Sequence, residues 1–243
     1  MKREIPFKFD QSSDLGRWRA ETFWEKEPET IAWLESFQGL HLEQLDFVDI
    51  GANLGIYSLF ALTTGAYSRV IAVEPMPLNF NALKTNIKLN DLEDKAILYN
   101  QPLYSHSLMV NFEFNDERVG SSGGQVVEDP RNTERINAAH VQTLTGDDLI
   151  EVNQIKQCVI KLDVDGLELE ILKGFKKSLS KNLIASILVE ATIHNKEEIE
   201  YFLSENSFYI DNRFDILANH STVRRTVSGS SERNLIFSKL PRS

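Results

Sequence analysis

Short apolar runs alternate along the chain with stretches whose apolar residues recur every three or four positions. Runs of the first kind cover Asp46 to Ile50, Arg69 to Val73, Ala96 to Tyr99, Val159 to Leu162 and Ser186 to Val189. Their compact, β-branched character predicts strands covered on both faces, as in a parallel sheet. Between the first two, Ile56 to Thr64 reads as a helix closed by Gly65. Between the second and third, Pro77 suits a first helical turn, and Phe80, Leu83 and Ile87 follow at helical spacing. The pattern is βαβαβ. After Ala191 it predicts a helix from Lys196 to Ser204, then strands at Phe208 to Arg213 and Asn234 to Phe237, with a Ser/Gly/Arg-rich loop from Ser221 to Arg233 between them.

Two regions depart from the alternation. Tyr104 to Thr145 holds strand-like Leu108 to Phe114 and His140 to Thr145 around a turn at Gly120-Ser121-Ser122-Gly123-Gly124, and predicts a β-rich insertion over the ligand-binding edge of the sheet. Upstream, Trp18, Phe23, Trp24, Ile31, Trp33, Leu34 and Phe37 predict a helical extension packed on the core. The expected organisation is therefore an extension over 1–45 and one α/β domain over 46–243, with the insertion at 104–145.

The 243 residues suffice for one sizeable domain with a full core. No apolar run approaches the roughly 18 to 20 residues that span a bilayer, and no apolar segment follows Met1 to Pro6, so neither a membrane span nor a secretory leader is expected. A lone Cys158, opening an apolar strand, excludes an internal disulfide and a cysteine-built zinc site, and reads as an inert buried thiol in a cytoplasmic protein. A net charge of −10 argues against a nucleic-acid partner. The one compact basic pair, Arg224-Arg225, falls in the late loop and reads as a solvated surface.

Candidate chemistry begins at Val48-Asp49-Ile50-Gly51-Ala52-Asn53-Leu54-Gly55, a glycine loop between a strand and a helix, where backbone approaches a ligand. Its spacing is not the dinucleotide G-x-G-x-x-G, because the second glycine comes four residues after the first. The second strand ends in Val73-Glu74-Pro75, placing an acid 25 residues after Asp49, where such folds hydrogen-bond ribose hydroxyls. A nucleoside cofactor without a phosphorylated ribose is implied.

With these blocks, Lys26-Glu27-Pro28-Glu29-Thr30 and IKLDVDGLELEILKG from Ile160 to Gly174, the sequence resembles the FkbM family of class I methyltransferases over Lys26 to Glu190. The resemblance implies a Rossmann-like α/β fold, a seven-stranded mostly parallel sheet with one antiparallel strand, and S-adenosylmethionine as cofactor. It implies that Asp49, Gly51, Asn53 and Gly55 cradle the methionine portion, that Glu74 holds the ribose, and that Asn100 and Gln101 lie near the adenine.

In the block after Ile160, Asp165 and Glu168 have the spacing of a helix cap, and Glu168 and Glu170 suit a helix N-terminus. Asp163 is left over at the carboxyl end of its strand, on the same side as Lys161, where α/β sheets bind ligands. Glu190 and His194 follow the fifth strand, and Asn195 with Glu198 resembles another cap. Asp163, Glu190, His194 and Lys161 are the candidate catalytic residues, with Lys161 equally readable as half of a buried ion pair. If Asp163 and Glu190 converge, they form a divalent-metal site or a base with its orienting partner, and the sequence leaves both open.

The resemblance sets the expected reaction as O-methylation of a free hydroxyl on a sugar, glycan or related polar metabolite. Two rival readings stay open: a methyltransferase acting on nitrogen or on a protein, and a non-catalytic module that keeps the cofactor pocket.

Overall fold

The computed structural model describes residues 4–40, 44–114, 116, 118–128, 137–218 and 233–239. Two helices come first, α1 (Asp14–Lys26) and α2 (Pro28–Glu35). The hydroxyl of Ser13 accepts the Gly16 N–H to start α1, and Pro28 opens α2 where its missing N–H costs nothing. Then follow β1 (Asp46–Ile50), α3 (Ile56–Thr64), β2 (Arg69–Val73), α4 (Pro77–Leu89) and β3 (Ala96–Tyr99). A second group contains β4 (Met109–Phe114), β5 (Gln125–Val127), β6 (Asn137–Gln142) and α5 (Gly146–Val152). The rest is β7 (Cys158–Leu162), α6 (Glu168–Lys173), α7 (Lys176–Ser180), β8 (Ile184–Ala191), α8 (Lys196–Glu205), β9 (Phe208–Ile210), α9 (Asp215–Ala218) and β10 (Arg233–Lys239).

Seven strands form the main sheet in the order β3-β2-β1-β7-β8-β10-β9. The central pairs are parallel, and β10 enters antiparallel to both β8 and β9, the one reversed strand expected. Because strand order reverses between β1 and β7, the carboxyl ends of these two strands flank the crevice in which open α/β sheets hold ligands.

Apolar side chains cover the sheet on both faces. Phe47, Leu59, Leu83 and Val159 form one layer with Phe23, Trp33 and Leu34 of the N-terminal helices, while Val48, Ile160, Leu172, Phe175 and Leu203 form the other. Trp33 is buried and its indole N–H donates to Ser186 Oγ at 3.0 Å, anchoring α2 on β8. Cys158 is fully buried at the start of β7, and burial pushes its thiol well above the usual range.

Several boundaries differ from expectation. The strand expected over His140 to Thr145 is β6, ending at Gln142, because Thr145 instead opens α5 with a reciprocal capping box to Asp148. The short β5 has no counterpart in the sequence reading. The helix expected after Asp163 is two short ones broken at Gly174, where a Cβ would press on the Tyr104 carbonyl. The strand from Phe208 stops at Ile210, since the Asp211 carboxylate accepts the Arg213 N–H and turns the chain into a 3₁₀ segment. The loop over Ser221 to Arg233, with Arg224-Arg225, lies outside the described residues except for Arg233, which opens β10. Among the described residues no helix is long and apolar enough to cross a membrane.

Candidate active site

The loop after β1 makes its turn with left-handed backbone at Gly51, Asn53 and Gly55. Asparagine tolerates that conformation because its short side chain bonds locally: Asn53 Oδ1 accepts the Leu54 N–H at 3.0 Å. Its Nδ2 donates to the Ser121 carbonyl at 2.8 Å, joining the loop to the insertion. Gly51 is required by close packing, since a Cβ there would overlap the Asp163 carbonyl oxygen. Gly55 is the N-cap of α3, and a Cβ there would overlap Leu83. All five N–H groups from Gly51 to Gly55 are bonded within the protein: Gly51 and Ala52 to the Val73 carbonyl, Asn53 to Glu74, Leu54 to Asn53 and Gly55 to Ala52.

Above this loop lies a cavity of about 650 Å³, within the size range of small-molecule sites. One wall is the loop with Glu74, Pro75 and Met76; the β7 end supplies Lys161, Asp163 and Asp165, and the β8 end supplies Glu190. Leu15, Trp18 and Arg19 enter from α1, one helical face at i, i+3 and i+4. Phe112 and the turn from Gly120 to Gly124 enter from the insertion. Asn79 holds that turn from α4: its Nδ2 donates to the Ser121 carbonyl at 2.9 Å and its Oδ1 accepts the Gly120 N–H at 2.7 Å.

Glu74 is buried, and its two oxygens accept the Asn53 and Met76 N–H groups, each at 2.8 Å. Burial pushes its carboxyl up to about 7, against these two donors and the nearby Arg19. A carboxylate has about four acceptor positions, so capacity for further donors remains at the cavity wall.

Beside the cavity a charge cluster spans β1, β7 and the α1–α2 junction. Lys161 is buried, pairs with Asp163 Oδ2 at 2.7 Å, and lies 5.2 Å from the centre of the Tyr57 ring. The parallel register sets Asp49 directly beside it. Burial opposes the Lys161 charge, but Asp163, Asp49 and Glu27 outweigh it and raise its pKa. Burial and Glu27 push Asp163 up, but the charge and hydrogen bond of Lys161 together with Lys26 hold it below the usual carboxylate range, and its side chain stays 25% exposed, enough to meet a ligand. Asp49 is raised by burial; Ser58 donates to its Oδ2 at 2.6 Å. Glu27, paired with Lys26 at 2.6 Å, is fully buried. With Glu29 and Thr30 it receives the side-chain amide of Asn234, which links the N-terminal helices to β10.

Of the residues singled out in the sequence, Gly51, Asn53, Glu74, Lys161, Asp163 and Glu190 share the cavity. The others stand elsewhere. Asp49 lies behind the loop, and Gly55 packs on α4. Asn100 donates to the Glu74 and Pro75 carbonyls and supports the turn after β2, while Gln101 donates to the Gln142 carbonyl. His194 is exposed on the turn before α8. Two capping assignments also change. Asp165 does not cap α6: its backbone is left-handed and its Oδ2 accepts the Gly123 N–H at 2.7 Å, fastening the insertion to the β7 end. Asn195 makes no side-chain cap; its Oδ1 accepts the Thr192 N–H, and its Nδ2 donates to Glu168. Among the described residues no group of three His, Cys, Asp or Glu side chains is arranged to hold a metal, and Lys161 already occupies an Asp163 oxygen. Trp18, Arg19, Asn79 and Asp165 are cavity residues that the sequence reading did not assign to the site.

Sheet order, reversed strand, glycine loop and acid after β2 define a Rossmann-like class I methyltransferase fold. The crystal structure of the methyltransferase FkbM from Methylobacillus flagellatus shares it with a TM-score of 0.55 at 16% identity, over 92% of this chain and 52% of that one. Residues 49–220 match the methyltransferase FkbM domain, and the chain belongs to that family. It is 30% identical over 162 residues to the hexuronic acid methyltransferase AglP of Haloferax volcanii, covering 65% of this chain and 60% of AglP. It is 26% identical over 195 residues to the methyltransferase sdnD of Sordaria araneosa, covering 67% and 73% respectively. The match thus spans less than two thirds of AglP.

Proposed function

We propose that this protein is an S-adenosylmethionine-dependent O-methyltransferase acting on a hydroxyl of a sugar, glycan or related polar metabolite, with residues 46–243 as the methyltransferase domain and 1–45 as an extension that completes its site. The observation that carries the cofactor reading is Glu74: a buried acid at the end of β2, on the wall of a cavity of about 650 Å³, with acceptor capacity left for two ribose hydroxyls. Family membership supports the transferred group, and the sugar named for AglP supports the acceptor class.

The cofactor supplies a sulfonium methyl when bound, and the chain supplies alignment and charge. Glu74 and the loop fix the nucleoside, and the cavity walls from α1 and the insertion exclude water from the crevice, so that much of the acceleration comes from orienting two reactants. Asp163, ionised and partly exposed, accepts the acceptor hydroxyl and orients it. A sugar hydroxyl is a weak acid whose proton must be taken as the new bond forms. Glu190, half-buried on the cavity wall, is the acid we assign to that role, because Lys161 already occupies one oxygen of Asp163 and holds it ionised.

The reading is tested by calorimetry with S-adenosylhomocysteine against NAD, followed by methyl transfer from labelled cofactor to a panel of neutral and acidic oligosaccharides. Binding of the first ligand and label on a sugar oxygen are expected. Preference for NAD refutes the cofactor, and label on nitrogen refutes the acceptor class.

A further inference from the structure

The glycine loop has no N–H left to offer an anion: all five from Gly51 to Gly55 are bonded internally. A cofactor with an amino-acid portion still brings a carboxylate to this region, and taking a carboxylate out of water requires a cation or several donors. Arg19 stands at this place in the cavity wall. Gly16, one turn earlier on α1, is buried against Leu54 of the loop, and a Cβ there would press on Ser13 Oγ at 2.8 Å and the Asp10 carbonyl at 3.0 Å. Arg19 Nη2 donates to the Gly120 carbonyl at 2.9 Å, which holds the guanidinium against the insertion turn. Its Nε is buried and has no hydrogen-bond partner. A buried guanidinium N–H without an acceptor is an unfilled position, and the fork geometry of arginine suits a carboxylate.

We propose that Arg19 receives the carboxylate of the cofactor's amino-acid portion, so that the N-terminal helix completes the cofactor site which the glycine loop leaves open. The proposal rests on the S-adenosylmethionine reading above and deepens it. One N–H of the guanidinium stays on Gly120 as an anchor, and the remaining donors face the ligand.

Two ligands separate this role from a structural one. S-adenosylhomocysteine carries the carboxylate, whereas 5′-methylthioadenosine shares the adenosine and thioether but has no amino-acid portion. Arg19→Gln should weaken the first by about 10- to 100-fold and leave the second within about twofold, the loss typical of a charge-assisted pair. Arg19→Lys, which keeps the charge without the fork, should fall between, and it carries the same comparison if the glutamine variant does not fold. Equal losses for both ligands would mean that Arg19 only supports the Gly120 turn, and no loss for either would remove it from the site; both results overturn the proposal. Failure of the unaltered protein to bind S-adenosylhomocysteine would instead refute the cofactor reading on which the proposal stands.

Discussion

Removing the Lys161 cation is the most discriminating test of the charge cluster behind the cavity. In Lys161→Met the volume is nearly kept, but Asp163 loses an ion-pair partner at 2.7 Å, Asp49 loses the cation that offsets its burial, and Glu27 keeps only Lys26. At an effective dielectric of about 20, one contact pair at this separation is worth about 6 kcal/mol before desolvation. Deleting one partner of a buried pair costs about 3 to 5 kcal/mol net, because the other charge remains. That is a large part of the roughly 5 to 15 kcal/mol of a whole domain. The sign with pH follows from Asp163. Its pKa in the native protein is lowered, so its contribution is present above the unfolded value and is lost as pH falls through the native one. In the variant burial and Glu27 raise it against Lys26 alone, so the variant instead loses stability as pH rises. The gap between the two proteins should therefore be widest near neutrality and narrow towards acid. Urea unfolding at several pH values measures it, and adding Asp163→Asn to Lys161→Met should recover about 1 to 3 kcal/mol through the coupling of the pair. A loss below about 1 kcal/mol that does not vary with pH would show that the cluster is not energetically joined.

Glu74, with a native value of about 7 against an ordinary 4.5, carries stability below about pH 4.5 that disappears as pH rises through 7. Glu74→Gln should flatten that part of the pH–stability curve, and Glu74→Ala should weaken S-adenosylhomocysteine by about 1 to 3 kcal/mol in calorimetry; an unchanged curve and affinity would remove Glu74 from the site. Gly51→Ala should cost more than about 2 kcal/mol in thermal unfolding, combining left-handed strain with overlap on Asp163, and a stable variant would contradict the close packing. Asp163→Asn should lower turnover by about 10²-fold, the loss typical of a mispositioned reactant, with intact cofactor binding, and wild-type turnover would move the acceptor role elsewhere.

What could be read ahead of the structure follows the range of the interactions. The main strands, the glycine loop and Glu74 depend on local pattern, and they lie where the period placed them. Asp165 reads as a helix cap from its spacing to Glu168, yet its carboxylate accepts the N–H of Gly123, 42 positions away. Thr145 looked like the end of a strand for the same reason: the capping box needs Asp148, and β-branched threonine fits both settings. Arg19 carried no signal at all. An arginine on an amphipathic helix reads as solvated until the insertion, a hundred residues later, is known to close over it. His194 shows the converse, a residue of catalytic type near a strand end that the turn at Thr192 carries to the surface.

The amide of Asn234 reaches Glu27, Glu29 and Thr30 across 204 to 207 positions. At a synthesis rate of about 5 to 20 residues per second, those acids leave the ribosome on the order of ten to forty seconds before their partner exists. β10, which must slide between β8 and β9, arrives equally late. The α1–α2 segment, whose first helix walls the cavity, therefore waits for the Asn234 amide, and its anchoring follows the synthesis of β10. Slowing translation ahead of Arg233 should lengthen the interval in which a nascent chain is cut by protease within α1 and α2.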